Sequence, residues 1–192
     1  MVLVIDTSSA RSALAVLEDR LVVGEEVWES ARDEDLGLRV AALLDPSELT
    51  AVAVAVGPGS FTGLRLGVSY GLGLAMGRGV PLLGLGTLDI QAARASVPAI
   101  GLADAGRGRL YWMDPSGNMG HGEPGDLPRD VPAVGWLRPA TADLVRREGV
   151  RLLGEAEVDT FAAAAAMLVG GAPSLGYDTV ELRYMHSFGR VR

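Results

Sequence analysis

Apolar and polar positions fall into short blocks along this chain, and the spacing within each block predicts its element. Val2 to Asp6 is an apolar run closed by the polar turn Thr7-Ser8-Ser9, and Ser12 to Leu17 and Leu21 to Val27 follow as β-rich segments. Together they predict three strands in a meander. Asp33, Glu34 and Asp35 then form an acidic first turn for a helix whose apolar positions Leu36, Val40, Leu43 and Leu44 recur at i, i+4, i+7 and i+8, with Pro46 just beyond. Ala51 to Val56 is wholly apolar and runs into Gly57-Pro58-Gly59, as expected of a buried central strand entering a sharp turn. Thr62 to Gly77 is predicted as a helix, Val80 to Leu85 as another buried strand, and Thr87 to Ala95 as a third helix with Thr87 as its cap.

Pro98 opens a second group. Ala99 to Ala103 is apolar, a turn is predicted over Asp104 to Arg109, and Leu110, Tyr111 and Trp112 form a strand. Asp114 to Pro132 holds four glycines and four prolines in 19 residues, which predicts a surface loop. A strand at Ala133 to Trp136, a helix from Ala140 to Arg147, a strand at Val150 to Leu153 and an alanine-rich helix from Asp159 to Val169, stopped by Gly170-Gly171, complete the pattern. Strands joined by helical crossovers give an α/β fold with mixed sheets. The division falls near residue 100, into units 1–100 and 101–192.

Composition narrows the function classes. With 192 residues and 48% hydrophobic side chains the chain can bury a core, and without cysteine it is neither a stapled scaffold nor a thiol enzyme. Met1 to Leu17 has no basic start before its apolar run, so no signal peptide is read and a cytoplasmic location is expected. The net charge of −7 argues against binding a phosphate backbone unaided, so a nucleic-acid role would need a partner.

The run Gly57-Pro58-Gly59-Ser60-Phe61-Thr62-Gly63-Leu64-Arg65 places a glycine turn between a strand and a helix, which can bind an anion. Its spacing is one residue too long for a dinucleotide fingerprint, and no lysine follows as a Walker motif requires. The other reading is a tight turn with Thr62 or Ser60 capping the helix. Gly63, Gly67 and Gly71 lie at i, i+4 and i+8, flanked by Tyr70 and Leu74. Such a stripe lets another helix approach closely, although packing within the chain would use it equally well. The helix is about 16 residues long, short of the roughly 20 that a membrane span needs. Asp6 could orient a metal-bound phosphate or cap its turn. His121 and His186 stand far apart, with no H-x-x-x-H, so no metal site is expected, and the Gly67 to Gly71 pentapeptide puts its serine inside a helix instead of at a nucleophile elbow.

Val4-Ile5-Asp6-Thr7-Ser8, the run from Val56 to Gly67, and Leu85-Gly86-Thr87-Leu88-Asp89 resemble, in order, the bacterial tRNA threonylcarbamoyladenosine biosynthesis protein TsaB (YeaZ-like) family. Asp104-Ala105-Gly106-Arg107-Gly108-Arg109-Leu110-Tyr111 is similar to that family's Asp-Ala-Arg-Arg-Gly-Glu-Val-Tyr segment. The likeness covers roughly the first 115 residues and is loose over the last 75 or so. It implies an actin-like (ASKHA, ribonuclease H-like) fold of two subdomains, each a mixed sheet with flanking helices. It also implies a noncatalytic role as partner of the transferase TsaD and the ATPase TsaE, with homodimers when alone, tRNA met only through the complex, and ATP and metal held by the partner subunits.

In that resemblance the pairing surface includes Leu36, Val40 and Leu43 on the first helix. On the second it includes Thr62, Gly63, Leu66, Gly67, Tyr70, Gly71 and Leu74, beside a motif turn of Gly57, Pro58, Gly59 and Ser60. The chain departs from the family at Ala31-Arg32-Asp33-Glu34-Asp35, which lacks a frequent His, at Gly106 in place of an arginine, and in a shorter second half. A small actin-like ATPase or kinase relative using Asp6 and the Gly57 turn is the alternative enzymatic reading. A metallopeptidase is rejected for want of ligands.

Overall fold

The computed structural model describes residues 1–30, 35–178 and 180. Asp33, Glu34 and His186, along with the tail beyond 180, lie outside the described residues. Strands β1 (Val2–Asp6), β2 (Arg11–Glu18) and β3 (Leu21–Glu29) form the expected antiparallel meander. Helix α1 (Leu36–Leu43), strand β4 (Ala51–Ala55), helix α2 (Phe61–Arg78), strand β5 (Leu82–Leu85) and helix α3 (Thr87–Ala93) follow. The central strands β1, β4 and β5 run parallel, as right-handed helical crossovers require.

The second half contains β6 (Ile100–Gly106), β7 (Arg109–Met113), β8 (Met119–Gly122), β9 (Ala133–Val134), α4 (Pro139–Arg147), α5 (Phe161–Leu168) and β10 (Ser174–Leu175). Two sheets result, ordered β10-β5-β4-β1-β2-β3 and β8-β7-β6-β9. The second sheet begins at Ile100, but residues 101–192 do not stay with it. Helix α5 packs on β2 and β3, and β10 pairs with β5 at the edge of the first sheet. The expected C-terminal unit therefore has to be divided.

Alternation along each strand sorts the core into two layers. Leu3, Ile5, Leu14, Val16, Val52 and Val54 face α1 and α2. Val4, Ala13, Ala15, Ala53 and Ala55 face the opposite way, onto α3 and α5. Alanines 162, 164, 165 and 166 of α5 meet those strand alanines in the same cluster, so small residues on both elements allow close approach. A third cluster of Ile100, Leu102, Leu110 and Val145 joins the second sheet to α4.

Several local expectations are corrected. Thr87 does not cap α3: Gly86 occupies the cap, and the Thr87 hydroxyl donates to Ser8 Oγ at 3.0 Å. The turn at residues 104–109 narrows to Arg107-Gly108, because Asp104 continues β6 and Gly106, Arg107 and Gly108 all take positive φ. Within the glycine- and proline-rich loop, Met119–Gly122 forms β8, since β7 supplies an edge to pair with. Val150 to Leu153 forms only an isolated bridge, Leu152 to Ala133, instead of a strand.

Candidate functional site

The expected pairing surface lies on α2, whose N-terminus is set by local chemistry. Ser60 caps the helix by accepting from the Gly63 N–H at 3.3 Å, and its own N–H donates to the Ser8 carbonyl at 2.7 Å. Gly57, at φ 104°, accepts from the Thr87 N–H at 3.0 Å and precedes a cis bond to Pro58. A Cβ at Gly59 would run into the Ser8 carbonyl, so this position needs glycine. Donors that an anion would want are already engaged at Ser60, Gly63 and Leu64. The motif turn thus fastens α2 to the end of β1, as the capping reading anticipates.

The glycine stripe faces inward. A Cβ at Gly63 would strike the Thr7 carbonyl, one at Gly67 the Thr7 hydroxyl, and one at Gly71 the Val54 side chain. Thr7 Oγ1 also donates to the Gly63 carbonyl at 2.6 Å. The stripe therefore lets the helix backbone sit directly on β1 and β4, and the expectation that it receives a partner helix is corrected at Gly63, Gly67 and Gly71. Leu36 and Val40 of α1 are likewise core, 3% and 1% exposed, while Leu43 is half-buried.

What α2 turns outward is a different line. Thr62, Leu66, Ser69, Gly73, Met76 and Gly77 are exposed, with Tyr70 and Leu74 half-buried beside them. A Cβ at Gly73 or Gly77 would meet nothing within 4 Å. The sequence does not single out these two glycines, because they share an almost wholly apolar helix with the longer 63/67/71 series. Residues 71 and 73 stand about 200° apart on a helix, so the two sets cannot share a face. Burial, and secondarily the Asp35 carboxylate of the α1 cap, pushes the Tyr70 hydroxyl pKa up.

Asp6 sits under the motif turn and is fully buried. Its Oδ1 accepts from the Ser8 N–H at 2.8 Å and the Ser8 hydroxyl at 2.6 Å, the turn-capping use of such a residue. Burial pushes its carboxyl pKa up despite those bonds. Beside it a cleft of about 570 Å³ separates the two sheets, lined by Ser8, Ser9, Phe61, Asp104, Tyr111 and Arg138 among others. Among the described residues no three His, Cys, Asp or Glu side chains gather as metal ligands, and no helix is long and apolar enough to cross a membrane.

The family model described as "TsaD: tRNA N6-adenosine threonylcarbamoyltransferase" matches residues 39–123. The Escherichia coli tRNA threonylcarbamoyladenosine biosynthesis protein TsaB is 30% identical over 120-odd residues, 59% of this chain and 54% of its own length. The protein of the same description from Bacillus subtilis is 30% identical over 120 residues, 57% of this chain and 52% of its own. Among solved structures, YeaZ from Pseudomonas aeruginosa superposes with a TM-score of 0.73 over 96% of this chain and 99% of that one, at 18% identity. Over the stretch matched by those two sequences, the chain is similar to TsaB. Its two mixed sheets with flanking helices have the actin-like, ribonuclease H-like arrangement shared with YeaZ. The matched stretch spans just over half the length of the curated relatives.

Proposed function

We propose that this chain is the noncatalytic partner subunit of a TsaD-type transferase, supporting threonylcarbamoylation of the adenosine beside the anticodon in tRNAs that read codons beginning with A. The observation that carries this reading is the outward face of α2. It is an apolar line of Leu66, Tyr70, Leu74 and Met76 interrupted by two glycines with open space above them, attached to a TsaB-like fold. An exposed surface of that composition favours close helix packing by a partner.

In this reading Thr62, Leu66, Tyr70 and Leu74, joined by Gly73 and Gly77, meet the transferase subunit, and the same face pairs with a second copy when the chain is alone. A TsaE-type ATPase completes the complex, ATP and metal reside on the partner subunits, tRNA is met only within the complex, and the whole works in the cytoplasm. The burial of Asp6 supports a noncatalytic role, because a carboxylate with no exposed surface cannot reach a metal-bound phosphate. Reconstitution with the TsaD- and TsaE-type proteins of the same organism tests it. Modified adenosine should form only when this chain is added, and Asp6→Asn should leave turnover nearly unchanged. A large loss of turnover in that variant with assembly intact would return the actin-like ATPase reading.

A further inference from the structure

Three exposed arginines, Arg65, Arg107 and Arg109, stand next to residues that line the cleft between the sheets. Arg65 lies with its guanidinium carbon 3.8 Å from the centre of the Phe61 ring, and that ring lines the cleft and is itself 46% exposed. Arg107 and Arg109 flank the tip of the β6–β7 hairpin, whose Gly106 and Tyr111 line the opposite wall. Arg107 is held at φ 53°, a conformation that costs a non-glycine residue, and is exposed. All three arginines are exposed, and among the described residues none has a carboxylate within ion-pair distance.

Among the described residues, the two carboxylates that line this cleft each have an arginine partner, although Asp104 Oδ1 is buried without a hydrogen bond. Glu29 pairs with Arg11 at 3.0 Å, and Asp104 accepts from the Arg138 backbone N–H at 2.8 Å with the Arg138 guanidinium at 3.4 Å. Among the described residues, Arg65, Arg107 and Arg109 are thus left without an ion-pair partner beside the cleft. Paired guanidinium and aromatic planes beside free arginines are the chemistry that takes a nucleic-acid strand: cations displace counterions at phosphates, and planar groups stack on bases.

We infer that this cleft mouth, through Arg65, Arg107 and Arg109, docks the phosphate backbone of RNA. The inference rests on the proposed role in a tRNA-modifying complex and gives this chain its own contact there. On α2 Arg65 borders the outward apolar line, about 100° from Leu66 and about 20° from Met76 on the helix.

Fluorescence anisotropy of a labelled tRNA transcript, titrated with the complex of this chain and the TsaD-type protein across a salt series, tests it. The triple variant Arg65→Gln/Arg107→Gln/Arg109→Gln should bind about 10- to 100-fold more weakly, and its log Kd against log salt slope should fall by about 2 to 3. Arg129→Gln/Arg151→Gln, at ion-paired positions, should change neither. Equal affinity and slope in the triple variant overturn the inference. So does competition by polyglutamate at the same charge concentration as RNA, which would mark the surface as a dock for acidic protein. If no complex assembles, the partner-subunit reading is what fails. The same titration on the chain alone then decides the surface, with an arginine-dependent salt slope supporting it and absence of binding at low salt overturning it.

Discussion

Gly71 and Gly73 stand two residues apart on one helix and have opposite surroundings. A methyl group at Gly71 meets the stiff Val54 side chain, whereas one at Gly73 meets open space. Overpacking against a β-branched neighbour costs about 1–3 kcal/mol, and replacing an exposed helical glycine by alanine gains up to about 1 kcal/mol. Urea unfolding should therefore show Gly71→Ala destabilised and Gly73→Ala level or stabilised. Equal shifts would mean that the helix is turned differently. Asp6 gives a second residue-scale test. Its folded-state pKa is raised, so its ionisation opposes folding: the cost is absent below the unfolded value of 3.8 and accumulates as pH rises through the folded value. Asp6→Asn, which keeps an acceptor for Ser8, should match the parent in stability at pH 3 and equal or exceed it at pH 7. A parent that is the more stable at pH 7 contradicts the burial argument.

Elements were legible where pattern and packing agree. The apolar runs that define β1 and β4, and the Ser60 cap of α2, are local signals that the fold preserves. Strands β8 and β10 were not legible, because each is held by a partner strand and not by its own composition. Helix α2 was legible as a helix but not in its orientation. It is apolar nearly all round, so no periodicity tells which glycine series faces the sheet, and only the neighbouring β1 and β4 decide. Arg94 could not be found by any sequence signal. It is 2% exposed at the end of α3, donating to the Asp159 carbonyl at 3.1 Å, Gln91 Oε1 at 3.1 Å and Glu155 at 2.6 Å, and so ties α3 to the segment that leads into α5. Arg94→Ala should cost about 3 kcal/mol in urea unfolding, since it strands buried acceptors and leaves a void. Glu155→Gln, half exposed, should cost less than about 1 kcal/mol.

At the scale of the whole molecule, two sheets joined through a returning C-terminal segment present three surfaces with separate chemistry. The inner face of α2 is spent on the first sheet, its outer face is apolar and interrupted by glycine, and exposed Arg65, Arg107 and Arg109 stand near the cleft. The actin-like arrangement was implied by the family resemblance, but the pairing of the C-terminal segment with the first sheet was not legible, since β10 is a two-residue strand. The central claim is that the outer face of α2 binds a partner. Light scattering after size exclusion, on the chain alone and mixed with the TsaD-type protein, tests it most directly when run on the parent and on Gly73→Leu. The parent should form a homodimer that exchanges into a heterodimer, and Gly73→Leu should remain folded and monomeric in both samples. A Gly73→Leu chain that still assembles like the parent would contradict the account.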